Sequence, residues 1–269
     1  MKIVRSLAIA AAVAVAAPSA LALNVAVYGE MGQDIATHGH TVTVLSLAQL
    51  ESGINSFDVL VMGHPSDGEG FSSAACTSVS NFLGAGRRVV TEWDAVFNLF
   101  SAVGANIYVN SPPQCSFFSG TVDRGSIVGT NTPVNITQPG SPLVAGLPNP
   151  IQLGGGSEFF YQVTGFNISI WTVVATYDGW GATGNAAIMS ACLGPGTVVV
   201  GVFDYGDVLP GNATSSTMLN NFITQPVGCT GILALPSTIP TLSEWAMLVL
   251  AGLLLAVGAV ALRRRTTRR

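Results

Sequence analysis

The residues of this 269-residue chain best suited to chemistry are Glu30, His64, Asp67, Glu69, Glu92, Trp93, Asp94, Asp204, Tyr205 and Asp207. Each stands just past a run of apolar, largely β-branched residues: "LNVAVYG", "FDVLVMGHP", "RRVVTEW" and "TVVVGVFDYG". In an open parallel sheet, ligands bind beyond the carboxyl ends of the strands. The four runs therefore gather carboxylates, one imidazole and two aromatic rings on one edge. Carboxylates hold hard cations or accept hydrogen bonds from sugar hydroxyls, and aromatic faces stack on sugar rings. Glu30, Trp93, Asp94, Asp204 and Tyr205 are the ligand-binding candidates. Glu92 and His64 are the candidates for base chemistry, because burial of Glu92 at its turn would raise its pKa into a useful range. The same residues also fit the bland alternative of solvated loop acids around a packed tryptophan.

Other motifs lead nowhere. Gly29 and Gly32 in "YGEMGQD" lack dinucleotide spacing, and Glu30 between them would repel a pyrophosphate. "SDGEG" at 66–70 lacks the loop spacing of a calcium site. His38 and His40 precede the second apolar run, at the edge opposite His64, so the three histidines do not converge on a metal. No metal site and no cofactor are expected.

The elements that would position these residues alternate. "LNVAVYG", "HTVTVLS", "FDVLVMGHP" and "RRVVTEW" are predicted strands; "EMGQDIATHG", "AACTSVSNFLGAG" and "DAVFNLFSAVG" are predicted helices. Continuously apolar strands separated by helices imply a parallel sheet covered on both faces. The stretch 106–140, rich in Gly, Pro, Ser and Asn, reads as short strands and loops. "SIWTVVATY", "NAAIMSA" and "TVVVGVFDYG" are further strands, and "SSTMLNNFITQ" is the last helix.

The two ends carry an address. Lys2 and Arg5, an apolar run over 7–17 and the small residues Ala20 and Ala22 form a secretory leader, cut by signal peptidase after Ala22. Residues 246–262 are seventeen positions without a polar side chain, about 25 Å as a helix and close to the lower limit for crossing a bilayer. Trp245 flanks them on one side and five arginines on the other, which favours a cytoplasmic C-terminus. Ile239, Pro240, Thr241 and Leu242, then Trp245, the apolar run and the arginines together resemble the IPTL-CTERM sorting signal of Gram-negative bacteria. Ala246 stands where that family usually has Gly. The resemblance implies an exosortase-type sorting enzyme as a partner. It also implies a membrane-anchored precursor and delivery across the inner membrane to the cell surface or extracellular matrix. The expected divisions are a leader at 1–22, a body at 23–229, a linker at 230–238 and a sorting signal at 239–269.

Charge and cysteines narrow the body. Its only basic residues are Arg87, Arg88 and Arg124, set against thirteen acids, a net charge of about −10. Such a surface repels phosphate backbones, so nucleic acid is excluded as a partner. About 206 residues suffice for one sizeable core. Cys76, Cys115, Cys192 and Cys229 are an even set in an exported chain and imply two disulfides. Three pairings are open; Cys76–Cys115 with Cys192–Cys229 closes two moderate loops and is the preferred one.

The body itself resembles the class I glutamine amidotransferase-like superfamily, trehalose-utilisation type. The resemblance rests on the order of "GHTVTVL", "FDVLVMG", "FLGAGRRVVTEWDA", "SPLVAGLP" and "SEFFYQV". It implies an α/β, flavodoxin-like, doubly wound and mainly parallel sheet. Members with glutaminase activity carry a nucleophilic Cys on the turn after the fourth strand, where this chain has Glu92, Trp93 and Asp94. A carboxylate does not replace a thiolate there. The function expected is thus a non-catalytic binding or matrix module at the surface, with surface polysaccharide as a candidate ligand. The alternatives are a glycan-directed hydrolase using the acidic edge, or a structural protein with no pocket.

Overall fold

In the computed structural model the described residues are 22–29, 31–63, 71–104, 115–127, 131–154, 159–227 and 232–233, with backbone alone at 94, 124–127, 159 and 232–233. The apolar runs form β1 (Asn24–Tyr28), β2 (Thr41–Val44), β3 (Val59–Met62) and β4 (Arg88–Glu92). β1, β3 and β4 are buried almost throughout, as two covered faces require. With β11 (Gly196–Gly201) they make a parallel sheet in the order β2-β1-β3-β4-β11.

Right-handed crossovers place α1 (Gly32–Thr37) on one face of that sheet, and α2 (Leu47–Ser52) and α3 (Ser73–Gly84) on the other. α4 (Ala213–Thr224) packs beside α1. Side chains stop the helix starts from fraying. Ser46 and Gln49 form a reciprocal capping box on α2, Ser72 caps α3, and Asn212 accepts from both Thr214 N–H and Ser215 N–H on α4. At the other end of α4, Arg88 Nη1 donates to Phe222 O and Ile223 O at 3.0 and 2.9 Å. The terminal carbonyls of the helix are thereby satisfied from β4.

The large sheet is mostly parallel, as expected, and its antiparallel pairings lie beyond β11. β10 (Ala182–Leu193) and β9 (Thr172–Gly179) continue it antiparallel from β11, β7 (Val134–Ile136) closes the edge antiparallel, and β12 (Ile232–Leu233) runs parallel beside the end of β10. The two-residue turn at Gly194 and Pro195 joins β10 to β11 and brings them against α3. Gly196 is required there, since a Cβ would stand 2.5 Å from Leu83 O. One expected helix, "DAVFNLFSAVG", is corrected. It is a 3-10 helix, Trp93–Leu99, followed by β5 (Phe100–Val103). Val96, Phe97, Leu99 and Phe100 are all buried, so no solvent face remains for an amphipathic α-helix.

β5 opens a second, three-stranded sheet with β6 (Phe118–Ile127) and β8 (Phe159–Thr164), in the order β5-β6-β8. An aromatic chain welds the two sheets. Phe160 lies 4.2 Å from Tyr177 and 5.4 Å from Phe203, ring centre to ring centre; Phe203 meets Tyr205, and Tyr205 meets Phe222 of α4.

The leader, the span expected at 246–262 and the sorting motif fall outside the described residues, apart from Ala22. Among the described residues no helix is long and apolar enough to cross a membrane. Cys76 and Cys115 form the preferred disulfide, with Cα atoms 5.0 Å apart. Cys192 is also disulfide-bonded, and Cys229 lies outside the described residues.

Candidate functional site

Glu92 is the last residue of β4, paired with Gly201 at the end of β11. Beyond Gly201 the chain folds across the end of β4, and three contacts fix that crossing. Gly206 N–H donates to Glu92 Oε1 at 2.8 Å, Tyr205 Oη–H to Thr91 O at 3.2 Å, and Ser215 Oγ–H to Tyr205 O at 2.6 Å. Gly206 allows the approach, because a Cβ there would lie 2.8 Å from Glu92 Oε1.

The crossing brings Asp204 alongside Glu92, and both carboxyls are buried. Burial first, then the charge of Asp204 and a hydrogen bond shared with it, hold the Glu92 carboxyl well above the usual carboxylate range; Gly206 N–H opposes this, and Asp207 adds to it. The folded protein thus keeps a proton on Glu92 that the unfolded chain gives up. With more protons bound in the folded state, the contribution of this group to stability falls as pH rises from about 4 upward. Glu92→Gln keeps an acceptor for Gly206 and a donor for Asp204 but has no proton to lose. Its urea midpoint, measured from pH 5 to pH 8, should decline less with pH than the wild type's. Equal slopes would show that Glu92 does not titrate in this way.

A cleft of about 140 Å³ opens at Glu92, lined by Met31, Asp34, Glu92, Asp207, Leu209 and Pro210 among others. Asp34 is a site residue that the sequence reading missed. It lies on the buried side of α1 with Gly32 and Ile35, and its Oδ2 has no hydrogen-bond partner. A carboxylate on the apolar stripe of a predicted helix was the signal available. Among the described residues, no group of three His, Cys, Asp or Glu is arranged to hold a metal ion.

The other candidates separate. Asp207 lines the cleft with Glu92. Trp93 and Tyr205, expected to offer faces to a sugar, are 8% and 0% exposed. Trp93 instead stacks on Tyr161 at 5.7 Å and takes the positive φ of the turn, 22°. Tyr205 packs edge-on to Phe222. Glu30, His64, Asp67 and Glu69 lie outside the described residues, as does the side chain of Asp94. His38 Nε2 is 2.8 Å from Ser216 Oγ and 3.8 Å from Asp34 Oδ2. Both contacts fall on one ring nitrogen, whereas a Ser-His-Asp relay needs one partner on each. Among the described residues no cysteine is a free thiol.

Residues 238–268 match the IPTL-CTERM motif, bearing out the resemblance of the tail. No curated protein matches the chain in sequence. Among solved structures, a protein described as ThuA-like from Bacteroides uniformis superposes with a TM-score of 0.52 at 12% identity, covering 74% of this chain and 88% of that one. A protein described as a GMP synthase subunit from Thermoplasma acidophilum gives 0.47 at 13% identity, covering 76% and 93%. The first likeness shows a shared fold.

Proposed function

We propose that this chain is an exported protein, sorted to the cell surface or matrix through its tail, whose amidotransferase-like domain is a binding or structural module. The motif at 238–268 supports the address. The observation that carries the rest is the turn after β4. Where the superfamily resemblance calls for a reactive thiol, the chain has a buried carboxyl held by Gly206 and Asp204, followed by a tryptophan stacked on Tyr161. The cleft above it is also smaller than the roughly 300–1,000 Å³ of ordinary ligand pockets. It suits a small polar group of a larger partner better than an enclosed substrate. The direct test joins cell fractionation, mass spectrometry of the mature C-terminus and an ammonia-release assay with glutamine. Surface material ending near 239–245 and no ammonia would support the reading. Full-length cytosolic protein would sink the address, and glutaminase turnover would sink the module.

One observation favours a second reading, a glycan-directed surface hydrolase. Glu92 lines the cleft next to the buried carboxyl of Asp204, which helps hold the Glu92 carboxyl well above the usual carboxylate range. Such a pair can divide acid and base roles. Polysaccharide hydrolysis that disappears in Glu92→Gln would select this reading over the first.

A further inference from the structure

Leu23 is where the chain enters the fold. Ala22 is exposed, Leu23 is half-buried against the core, and Asn24 opens β1. Leu23 N–H donates to His40 Nδ1 at 3.3 Å, and Leu23 O accepts from Thr41 N–H at 2.9 Å. One residue along, Asn24 N–H donates to Asp58 Oδ2 at 3.0 Å, while Asp58 Oδ1 holds Arg87 Nη1 at 2.7 Å. His40 is 6% exposed, and its Nε2 lies 3.2 Å from Asn220 Oδ1 on α4. Because Nδ1 accepts from a backbone N–H, the proton of the neutral ring sits on Nε2 and is donated to Asn220. Both ring nitrogens are therefore engaged, and one lone pair is aimed at the nitrogen of Leu23.

That nitrogen is the one a signal peptidase would release. Cleavage after Ala22 adds water across the amide: the oxygen goes to the Ala22 carboxylate, which departs with the leader, and the nitrogen of Leu23 becomes an α-ammonium. We propose that His40 is a docking site for the processed N-terminus, its Nδ1 accepting a hydrogen bond from the Leu23 α-ammonium while Asn220 holds the ring. At the next residue, the Asn24 N–H bond to Asp58 Oδ2 fixes the start of β1 beside this contact. Hydrogen bonds from an ionised donor are roughly twice as strong as neutral ones. Removal of the leader therefore tightens the seam that joins β1, the start of β2 and α4. The inference rests on the export reading, which supplies the cut.

The composition provides a clean assay. Lys2 is the only lysine and lies in the leader, so the mature chain has a single primary amine, that of Leu23. The mature protein from the cell envelope is sequenced from its N-terminus and then acylated with an N-hydroxysuccinimide ester, with the peptide LNVAVYG as the reference amine. The expected N-terminus is Leu23, acylated at least about tenfold more slowly in the folded protein than in the peptide, the effect of one hydrogen bond to a charged group. His40→Phe keeps a ring but removes the acceptor and should restore most of the rate. Asn220→Ala, which leaves the contact atom and frees the ring, should restore part of it. A chain starting at Leu23 that reacts as fast as the peptide overturns the docking site and leaves export standing. Slow acylation unchanged by both substitutions also overturns it, since burial alone would then protect the amine. A chain that starts at Met1 overturns the export reading and this inference with it.

Discussion

Phe160→Ala is expected to lower the unfolding free energy by about 3–5 kcal/mol, the usual loss for truncating a fully buried phenylalanine. Phe160 is 0% exposed and belongs to β8 of the smaller sheet, yet its ring contacts Tyr177 of the main sheet and Phe203 beyond β11. Its backbone also bridges to that of Phe203. The substitution thus removes transfer free energy, two aromatic contacts and the filler between the sheets at once. Phe203 directly precedes Asp204, so the crossing over Glu92 should loosen as well. Urea denaturation gives the first quantity, and amide hydrogen exchange at Gly206 gives the second. A loss under about 1 kcal/mol would mean that the two sheets do not share a core as described.

The second large effect is expected from Cys76→Ser combined with Cys115→Ser. The bond ties buried Cys76 of α3 to Cys115 just ahead of β6, across 39 residues of sequence. Chain-entropy reasoning assigns a loop of that length about 4 kcal/mol, through restriction of the unfolded state. Both serines should be introduced together, so that no unpaired thiol exchanges with the Cys192 disulfide. Equal urea midpoints for the double variant and the oxidised wild type would refute the estimate.

Legibility in the sequence followed the range of the forces involved. β1, β3 and β4 could be read because two covered faces leave an unbroken apolar string, a local signal. α2 was overlooked although its start is marked: Ser46 and Gln49 have capping-box spacing. The direction of β10 and β9 depends on partners distant in sequence. The only local hint was the short turn "GP" between two apolar runs, which forces an antiparallel return. The segment 93–99 misled because a helical period and burial on every side use the same residues; only tertiary packing tells them apart. At the site, Glu92, Asp204 and Asp207 were legible as residues that follow strands. Asp34 was not, since it comes from a helix. The inward packing of Trp93 and Tyr205 depends on Tyr161 and Phe222, which no local pattern connects to them.

The direction of β12 has a mechanical consequence. It lies alongside Cys192 and Leu193 and runs toward the bend at Gly194 and Pro195, at the rim where β4 starts with Arg88. Glu92 ends that same strand, on the order of 15 Å away by strand rise alone. Leu233 therefore hands the backbone onward from the rim farthest from the carboxyl pair. Any tension transmitted from beyond Leu233 would act on the side of the sheet remote from the carboxyl pair.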